Sequence, residues 1–217
     1  MKRILSFKHW KTLSTKQYRK LRNTTKTISI IGASRKLGVT HLSLCLANFL
    51  HSALKQPVIY IEVSDESKLL ELVGEKQIFI DDMIGFLYKG VTYILACDAE
   101  EAMKLLNNSR AYIILDIQKY SGKTSELFDR CEKRIVIGSM KPWCKRDYFE
   151  LLQDLKGGKG MYSGKENRIK FYNIGKSKSE KTLFSKISNC SIESMPVIEN
   201  PFSLKEEDFE PLLNMIM

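Results

Sequence analysis

The first 61 residues contain no aspartate or glutamate, although the chain of 217 residues has 25 acidic residues in total. The same stretch holds 12 of the 35 lysine and arginine residues, and the other 23 are nearly balanced by the acids. The net charge of +10 therefore originates in the N-terminal part of the chain. A basic segment of this kind attracts the phosphates of nucleic acids or of anionic lipids. The alternative is a solvated tail that serves solubility alone.

Cysteines are few and have no metal-binding spacing. They are odd in number, form no C-x-x-C pair and are scattered along the chain: Cys45, Cys97, Cys131, Cys144 and Cys190. Neither a zinc site nor a disulfide framework is predicted, and buried, reduced thiols favour a cytoplasmic protein. No apolar run reaches the roughly 18 to 20 residues of a membrane-spanning helix, and the N-terminus lacks the apolar stretch of a secretory signal.

From residue 27 onward, short apolar runs alternate with segments of helical periodicity. The predicted strands are residues 27–31, 57–63, 91–97, 111–117, 133–139, 168–175 and 194–200. The predicted helices are residues 42–54, 66–73, 99–108, 144–155 and 203–216, the last with Ser203 as its N-cap, and residues 77–90 are predicted as a strand or loop followed by a helical turn.

Several of these strands are apolar along their whole length, which is typical of parallel strands covered on both faces. The sequence therefore predicts the α/β class, with a doubly wound, mostly parallel sheet of about seven strands and helices on both faces. Residues 1–25 are predicted to be a basic N-terminal arm, and residues 26–217 the folded domain.

The segment "IGASRKLGVTH", residues 31–41, connects the first predicted strand to the first helix. It resembles a Walker A loop, G-x-x-x-x-G-K-[ST], in its two glycines and in Thr40, which stands where a magnesium-binding hydroxyl is expected. Val39 occupies the place of the lysine, and Gly32 and Gly38 are six residues apart where the motif has five. Backbone amides and a helix N-terminus bind phosphate without a lysine. The alternative is an ordinary strand-to-helix turn with glycines for its positive φ angles.

Acidic residues follow two other buried strands. "YIILDIQ" places Asp116 near the end of an apolar strand, as in a Walker B motif that orients magnesium. "VIYIEVSD" places Glu62 near the end of another, with Ser64 and Asp65 close behind. The alternative for Asp116 is a strand-end residue that caps a loop. Ligands of parallel α/β sheets bind beyond the carboxyl ends of the strands. We therefore expect Asp116, Glu62 and the loop to meet at one edge of the sheet.

Residues 26–217 resemble the MinD/ParA family of deviant Walker A P-loop ATPases. The resemblance lies in the order of five segments: "GASRKLGVTHLSLCLANFL", "PVIYIEVSD", "AYIILDIQ", "KFYNIG" and "ESMPVIENPF". This bacterial family includes pseudo-ATPases of the TadZ/CpaE type, and its loop reads roughly K-G-G-x-G-K-T-[TS]. The resemblance implies ATP and Mg²⁺ as cofactors, and protein partners or a homodimer. It implies catalytic roles for Glu62 and Asp116, a magnesium site at Thr40 and Asp116, and nucleotide contacts from Gly32, Ser34, Arg35, Lys36, Gly38, Val39, Thr40, His41 and, near the adenine, Asn173.

The sequence departs from the family at the residues that carry charge. Ser34 and Val39 stand at the two lysine positions, and Lys36 stands where a glycine is usual. Glu62 replaces an aspartate and Gln118 a proline. The loss of one preorganised charge at a developing oxyanion lowers the rate by about 10²–10³.

These departures predict a degenerate P-loop protein that acts as a localisation or assembly module, with weak or no binding of ATP and Mg²⁺ and little or no hydrolysis. Two alternatives stay open. In the first, the chain is an active enzyme in which Arg35 or Lys36 replaces the missing lysine. In the second, it is a basic protein that binds nucleic acid without sequence specificity, with an affinity that falls steeply as salt rises.

The basic arm generates the first prediction. Residues 1–26 hold nine bases and no acid, interleaved with Phe7, Trp10 and Tyr18, and we expect them to meet an anionic membrane surface or DNA. Deletion of residues 1–24 should leave the melting temperature unchanged and abolish binding to anionic vesicles or to DNA in a sedimentation assay. A lower melting temperature with unchanged surface binding would instead mean that the arm packs on the domain.

Overall fold

A nine-stranded sheet runs through the part of the chain that the computed structural model describes, which comprises residues 27–80, 82–108, 111–157 and 169–217. The predicted basic arm lies outside the described residues. The strands are β1 (Thr27–Gly32), β2 (Val58–Val63), β3 (Gln77–Ile80), β4 (Met83–Tyr88), β5 (Val91–Cys97), β6 (Tyr112–Ile117), β7 (Lys133–Gly138), β8 (Ile169–Asn173) and β9 (Ile192–Ser194). The helices are α1 (Val39–Ser52), α2 (Leu70–Val73), α3 (Ala99–Asn108), α4 (Lys123–Arg130), α5 (Lys145–Gly157), α6 (Lys178–Ser188) and α7 (Glu206–Ile216).

The strand order across the sheet is β3-β4-β5-β2-β6-β1-β7-β8-β9. The seven strands from β5 to β9 are mutually parallel, whereas β4 is antiparallel to β5 and β3 is antiparallel to β4. Strand β1 lies at the centre of the parallel block, between β6 and β7. The predicted mostly parallel sheet with a central first strand is therefore confirmed.

Two apolar cores, one on each face, cover the sheet. One core packs α1 and α7 against residues such as Ile30 and Tyr60, and the other packs α3, α4, α5 and α6 against residues such as Ile113 and Val136. The fully buried patterns of β2 and β6 follow from this double coverage. The doubly wound arrangement is confirmed. None of the helices in the described ranges combines the length and apolar character needed to cross a bilayer.

The predicted helical turn within residues 77–90 is wrong, because this part of the chain forms the β3–β4 hairpin. Strand β4 pairs with both β3 and β5, so its backbone groups are satisfied by ladders on each side. Phe86 and Tyr88 lie two positions apart on one face and pack against the core of α1 and α7. The period-2 pattern outweighed the weak helical signal, and the hairpin adds β3 and β4 to the sheet.

The C-terminal part differs from the prediction in three ways. The predicted strand 194–200 is wrong: β9 ends at Ser194, and Pro196 cannot donate to a ladder. The last helix begins later than predicted, with Lys205 instead of Ser203 at its N-cap. Helices α4 and α6 were not predicted, although Ser177 and the Glu180 three residues later form a recognisable helix start, with the Ser177 hydroxyl accepting a hydrogen bond from Glu180 N.

Strand β7 ends at a glycine because a tyrosine ring occupies the adjacent space. A Cβ atom at Gly138 would lie 2.1 Å from Cδ1 of Tyr148, a fully buried residue of α5. The Tyr148 hydroxyl donates a hydrogen bond of 3.1 Å to the Tyr172 carbonyl of β8. The ring therefore fixes α5 against β7, which is a neighbour of β1, and against β8.

We predict that Gly138→Ala lowers the free energy of unfolding by about 1–3 kcal/mol, because the added methyl overpacks the core. The cost should be much smaller in a Tyr148→Ala background, which removes the ring together with the Cγ atom that would lie 2.4 Å from the added methyl. Urea denaturation of the two single variants and the double variant measures the coupling. An equal cost of Gly138→Ala in both backgrounds would contradict the assigned contact.

Candidate functional site

The pairing of β2, β6 and β1 places the predicted site residues at one edge of the sheet. Asp116 of β6 is in register with Glu62 of β2 on one side and with Ile30 of β1 on the other. Side chains in register on parallel strands lie on the same face, which here is the face covered by α1 and α7. The structure therefore brings Glu62 and Asp116 together beside the loop that follows β1.

The loop between β1 and α1 has the backbone form of a tight anion-binding turn. Lys36 has φ 63°, and Gly38, the N-cap of α1, has φ 85° in the left-handed region. The Gly38 carbonyl accepts the first helical hydrogen bond from Leu42 N at 2.9 Å. A helix N-terminus preceded by such a turn presents backbone N–H groups toward an anion. The loop thus makes a left-handed turn directly before the N-terminus of α1.

The side chains of the loop do not supply the charge that such a site uses. A Cβ atom at Gly32 would lie 2.8 Å from Val39 Cγ2 and 3.0 Å from the Ser34 carbonyl, so the short Val39 side chain packs on the loop backbone. Arg35 and Lys36, the candidate replacements for the lysine, are exposed. Ser34 is half-buried and carries no charge. No cation of the described loop lies at either family lysine position.

Asp116 is fully buried, and one of its oxygens is held by a tyrosine. The Tyr60 hydroxyl donates a 2.6 Å hydrogen bond to Asp116 Oδ2, whereas Oδ1 has no hydrogen-bond partner among the described residues. Burial raises the pKa of the Asp116 carboxyl above its usual range, while the Tyr60 bond and the nearby Thr40 hydroxyl act in the opposite direction. This environment favours a neutral carboxyl.

Glu62 is the second buried acid, only 3% exposed. Gln118 Nε2 donates a hydrogen bond of 3.3 Å to Glu62 Oε1, and Oε2 has no partner at hydrogen-bonding geometry in the described parts of the chain. Burial raises the pKa of Glu62, the nearby Ser67 hydroxyl opposes this rise, and the charge of Asp116 adds to it. Burial thus raises the pKa values of both adjacent carboxyls, and no described cation offsets it.

These residues fit a magnesium ion in part. Thr40 lies near Asp116, and the unpaired oxygens of Asp116 and Glu62 are free to accept a ligand. Mg²⁺ in nucleotide sites is held by one or two carboxylates together with the phosphates. In the described ranges no group of three or more His, Cys, Asp or Glu side chains is placed to hold a metal. The site would thus depend on a bound nucleotide, for which the loop lacks its lysines.

His41 links the start of α1 to the end of the chain. Its Nε2 lies 2.8 Å from the Ile198 carbonyl oxygen, in the segment between β9 and α7. In the same segment, Met195 Cε lies 3.7 Å from the position that a Cβ of Gly38 would take. His41 is therefore engaged with the protein backbone, and the segment after β9 covers the first turn of α1.

Asn173, the predicted adenine contact, is fully buried at the end of β8. Its Oδ1 accepts a hydrogen bond from Met140 N, and its Nδ2 donates one to Glu180 Oε2, both at 2.8 Å. The amide therefore connects the loop after β7 to the start of α6. A base could use only the remaining hydrogen-bonding capacity of this side chain.

Tyr60 is a close partner of the site that the sequence analysis did not single out. It stands two residues before Glu62 on β2, so both side chains lie on the same face. Its hydroxyl within the otherwise apolar run "VIYI" is a signal, because a buried tyrosine usually finds a hydrogen-bond partner. Recognising Asp116 as that partner also required the pairing of β2 with β6.

A parallel sheet with a glycine-containing loop after its central strand and an acid on the neighbouring strand defines the P-loop NTPase class of fold. Within that class, the chain has the fold of ParA and MinD ATPases. No protein-family model matches the sequence, and a search of curated proteins gives no match. The similarity is therefore carried by the structure.

Three solved structures illustrate the similarity of fold. A ParA family ATPase from Chlorobium tepidum is 14% identical, with a TM-score of 0.61 and 89% of each chain covered. MinD in a MinC:MinD cell division complex from Aquifex aeolicus is 13% identical, with a TM-score of 0.59 over 88% of this chain and 94% of that one. A plasmid partition protein from Borrelia burgdorferi bound to AMPPNP is 14% identical, with a TM-score of 0.59 over 89% and 97%.

The raised pKa of Asp116 generates a prediction about pH. The folded state keeps the proton to a higher pH than the unfolded state, so stability falls as pH rises from about 3.9, the unfolded pKa, to the folded pKa. Asp116→Asn keeps an acceptor for Tyr60 and should remove this fall, by up to about 1.4 kcal/mol for each pH unit between the two values.

Urea denaturation at pH 5 and pH 8 measures the effect. The gain in stability of Asp116→Asn over the wild type should be larger at pH 8, while part of the pH dependence persists through Glu62. Asp65→Asn, an exposed site just beyond the same edge, is the matched control and should leave the profile unchanged. A variant that loses stability on going from pH 5 to pH 8 relative to the wild type would contradict the assignment.

Proposed function

We propose that the protein is a degenerate relative of MinD and ParA ATPases that serves as a localisation or assembly module. In this role the domain binds nucleotide weakly or not at all and hydrolyses little or none. The P-loop scaffold is kept for its shape, which presents surfaces to protein partners. The basic arm, residues 1–26, provides attachment to an anionic membrane surface or to DNA.

The observation that carries this proposal is the combination of a loop without a lysine at either family position and two buried acids. Val39 packs on Gly32 where a lysine would reach the phosphates, and Ser34 takes the place of the second lysine. Glu62 and Asp116 lie side by side with no described cation between them, and burial raises both pKa values. Phosphoryl transfer depends on positioned positive charge, since the protein contributes little covalent chemistry.

The similar structures support a partner-binding role. One is a MinD in complex with MinC, and others are plasmid partition proteins, so folds of this kind occur in assemblies. We propose protein partners for this chain as well, with a homodimer as one candidate assembly. The AMPPNP complex of a partition protein shows that this fold can hold an ATP analogue, which makes ATP the nucleotide to test first.

An active enzyme that uses Arg35 or Lys36 is the alternative most open to experiment. Both side chains are exposed on the loop, so a bound nucleotide would have to draw one of them inward. We predict that purified wild-type protein shows no turnover of ATP with Mg²⁺ at the roughly 1–100 s⁻¹ typical of phosphoryl-transfer enzymes. Turnover in that range would refute the proposal and favour the enzyme.

The complementary prediction restores the missing charge. Val39→Lys should tighten ATP binding by about tenfold or more, which corresponds to about 1.4 kcal/mol and lies within the range of one charge-assisted hydrogen bond. Calorimetric titration with and without Mg²⁺ measures it. Val39→Gln, of similar length and uncharged, is the control and should change the affinity little. Hydrolysis should stay low, because Ser34 still replaces the second lysine. Equal binding by Lys and Gln variants would mean that the loop does not receive phosphate.

A further inference from the structure

Exposed bases crowd one half of the sheet edge at which the strands β1, β7 and β8 end. These three strands are neighbours, and the segments that follow them carry bases from the loop after β1 to the first residue of α6. We call this set the basic edge: Arg35, Lys36, Lys141, Lys145, Lys176 and Lys178, all exposed. None of the six forms an ion pair with another described residue, whereas the neighbouring Arg146 pairs with Glu150.

The other half of the same edge is acidic. The segments that follow β2 and β5 carry the acids Asp65, Glu66, Asp98, Glu100 and Glu101. The edge is thus divided into a basic and an acidic half, with β6 between them. Exposed bases thus cluster beyond β1, β7 and β8, although Lys68 lies in the acidic half, Lys119 and Lys123 follow β6, and Lys176 lines a cavity with Glu193, Glu207 and Asp208.

Trp143 stands at the centre of the basic edge and is 75% exposed. It follows the exposed Pro142 in the loop between β7 and α5, and Lys141 Nζ lies 5.6 Å from its ring centroid. A tryptophan is among the most costly side chains to leave in water. The described residues do not cover this ring, although Tyr148, five residues later, is fully buried.

We propose that the basic edge and Trp143 form a docking surface for an anionic lipid bilayer. Tryptophan partitions to the headgroup level of bilayers, where its ring is buried and its N–H stays hydrated. Each nearby lysine or arginine strengthens binding to an anionic surface by about fivefold. Five of the six bases are lysines, and Arg35 is the sixth. Lysines act as point charges and lack the planar fork that reads nucleic-acid phosphates or guanine.

This inference deepens the proposed function and rests on it, because it names the kind of surface to which a localisation module would attach. The proposed docking surface is distinct from the arm, because it lies on the folded domain at the edge that also carries the loop after β1. Docking there would turn the loop and the two buried acids toward the membrane. Partners would then have access to the opposite edge of the sheet and to its helix-covered faces.

The two tryptophans of the chain allow a direct test on the full-length protein. In a Trp10→Phe variant, Trp143 is the only tryptophan, and its fluorescence reports on this loop alone. Vesicles of equal parts phosphatidylglycerol and phosphatidylcholine should shift its emission to shorter wavelength, and brominated lipids should quench it. Pure phosphatidylcholine vesicles should cause little change, because they lack net charge.

Charge variants in the same background measure the contribution of the basic edge. Lys141→Gln combined with Lys145→Gln should weaken vesicle binding by about 25-fold, or about fivefold for each base. Lys76→Gln combined with Lys104→Gln removes the same charge from exposed sites away from this edge and should weaken binding by less than about fivefold. Circular dichroism checks that each variant is folded.

Four outcomes would overturn the proposal. Vesicle binding without an emission shift would mean that the arm alone attaches the protein to the membrane. An absence of vesicle binding would mean that neither the arm nor the basic edge binds lipid. A shift on addition of duplex DNA but not of vesicles would assign the surface to nucleic acid. A shift that follows protein concentration without lipid would assign it to a second copy of the chain. ATP turnover, assayed separately, decides the proposed function independently of each of these results.

Discussion

The in-register pairing of β6 with β2 and β1 is the constraint on which the site depends. It places Asp116 beside Glu62 and beside the strand that leads into the loop, and it does so in a region from which α1 and α7 exclude water. Two carboxyls buried this closely need a cation, a proton or strong donors. The protein provides the Tyr60 hydroxyl to one and the Gln118 amide to the other. The site therefore has little affinity for anions, since neutral donors stabilise the acids without adding a positive charge that would bind phosphate.

The loop and the two acids therefore both indicate a site without positive charge where nucleotide phosphates would bind. A P-loop with its lysines would place positive charge opposite Asp116, and that charge would hold the carboxylate ionised and ready for a metal. Here Val39 contributes an apolar side chain at this point, and Arg35 and Lys36 extend into solvent. The backbone form also joins β1 to α1 and provides the left-handed start of the helix at Gly38. The backbone of the loop can therefore form without the charged side chains that nucleotide chemistry uses.

Much of the fold followed from the sequence because its signals are local. The apolar runs at β1, β2, β6 and β7 and the periodic face of α1 each determine their own structure, and parallel pairing follows from their alternation with helices. The strand 194–200 was wrongly predicted since β-propensity ignores what Pro196 does to a ladder. The helical turn in residues 77–90 was wrongly predicted because β4 is stabilised by two distant neighbours. Likewise, Tyr60 and the engaged amide of Asn173 depend on contacts across strands, which no local pattern specifies.

The hydrogen bond from the His41 ring to the Ile198 carbonyl joins residues 157 positions apart, and Met195 meets Gly38 over a similar separation. A chain made at about 5–20 residues per second completes the loop on the order of ten seconds before those supports exist. During that interval β1 and α1 also lack the β7 strand and α7, both of which cover them in the finished sheet. The loop therefore acquires its final shape late in synthesis. A ribosome stalled near residue 190 would hold a nascent domain whose loop after β1 lacks these contacts and is still exposed to chaperones and proteases.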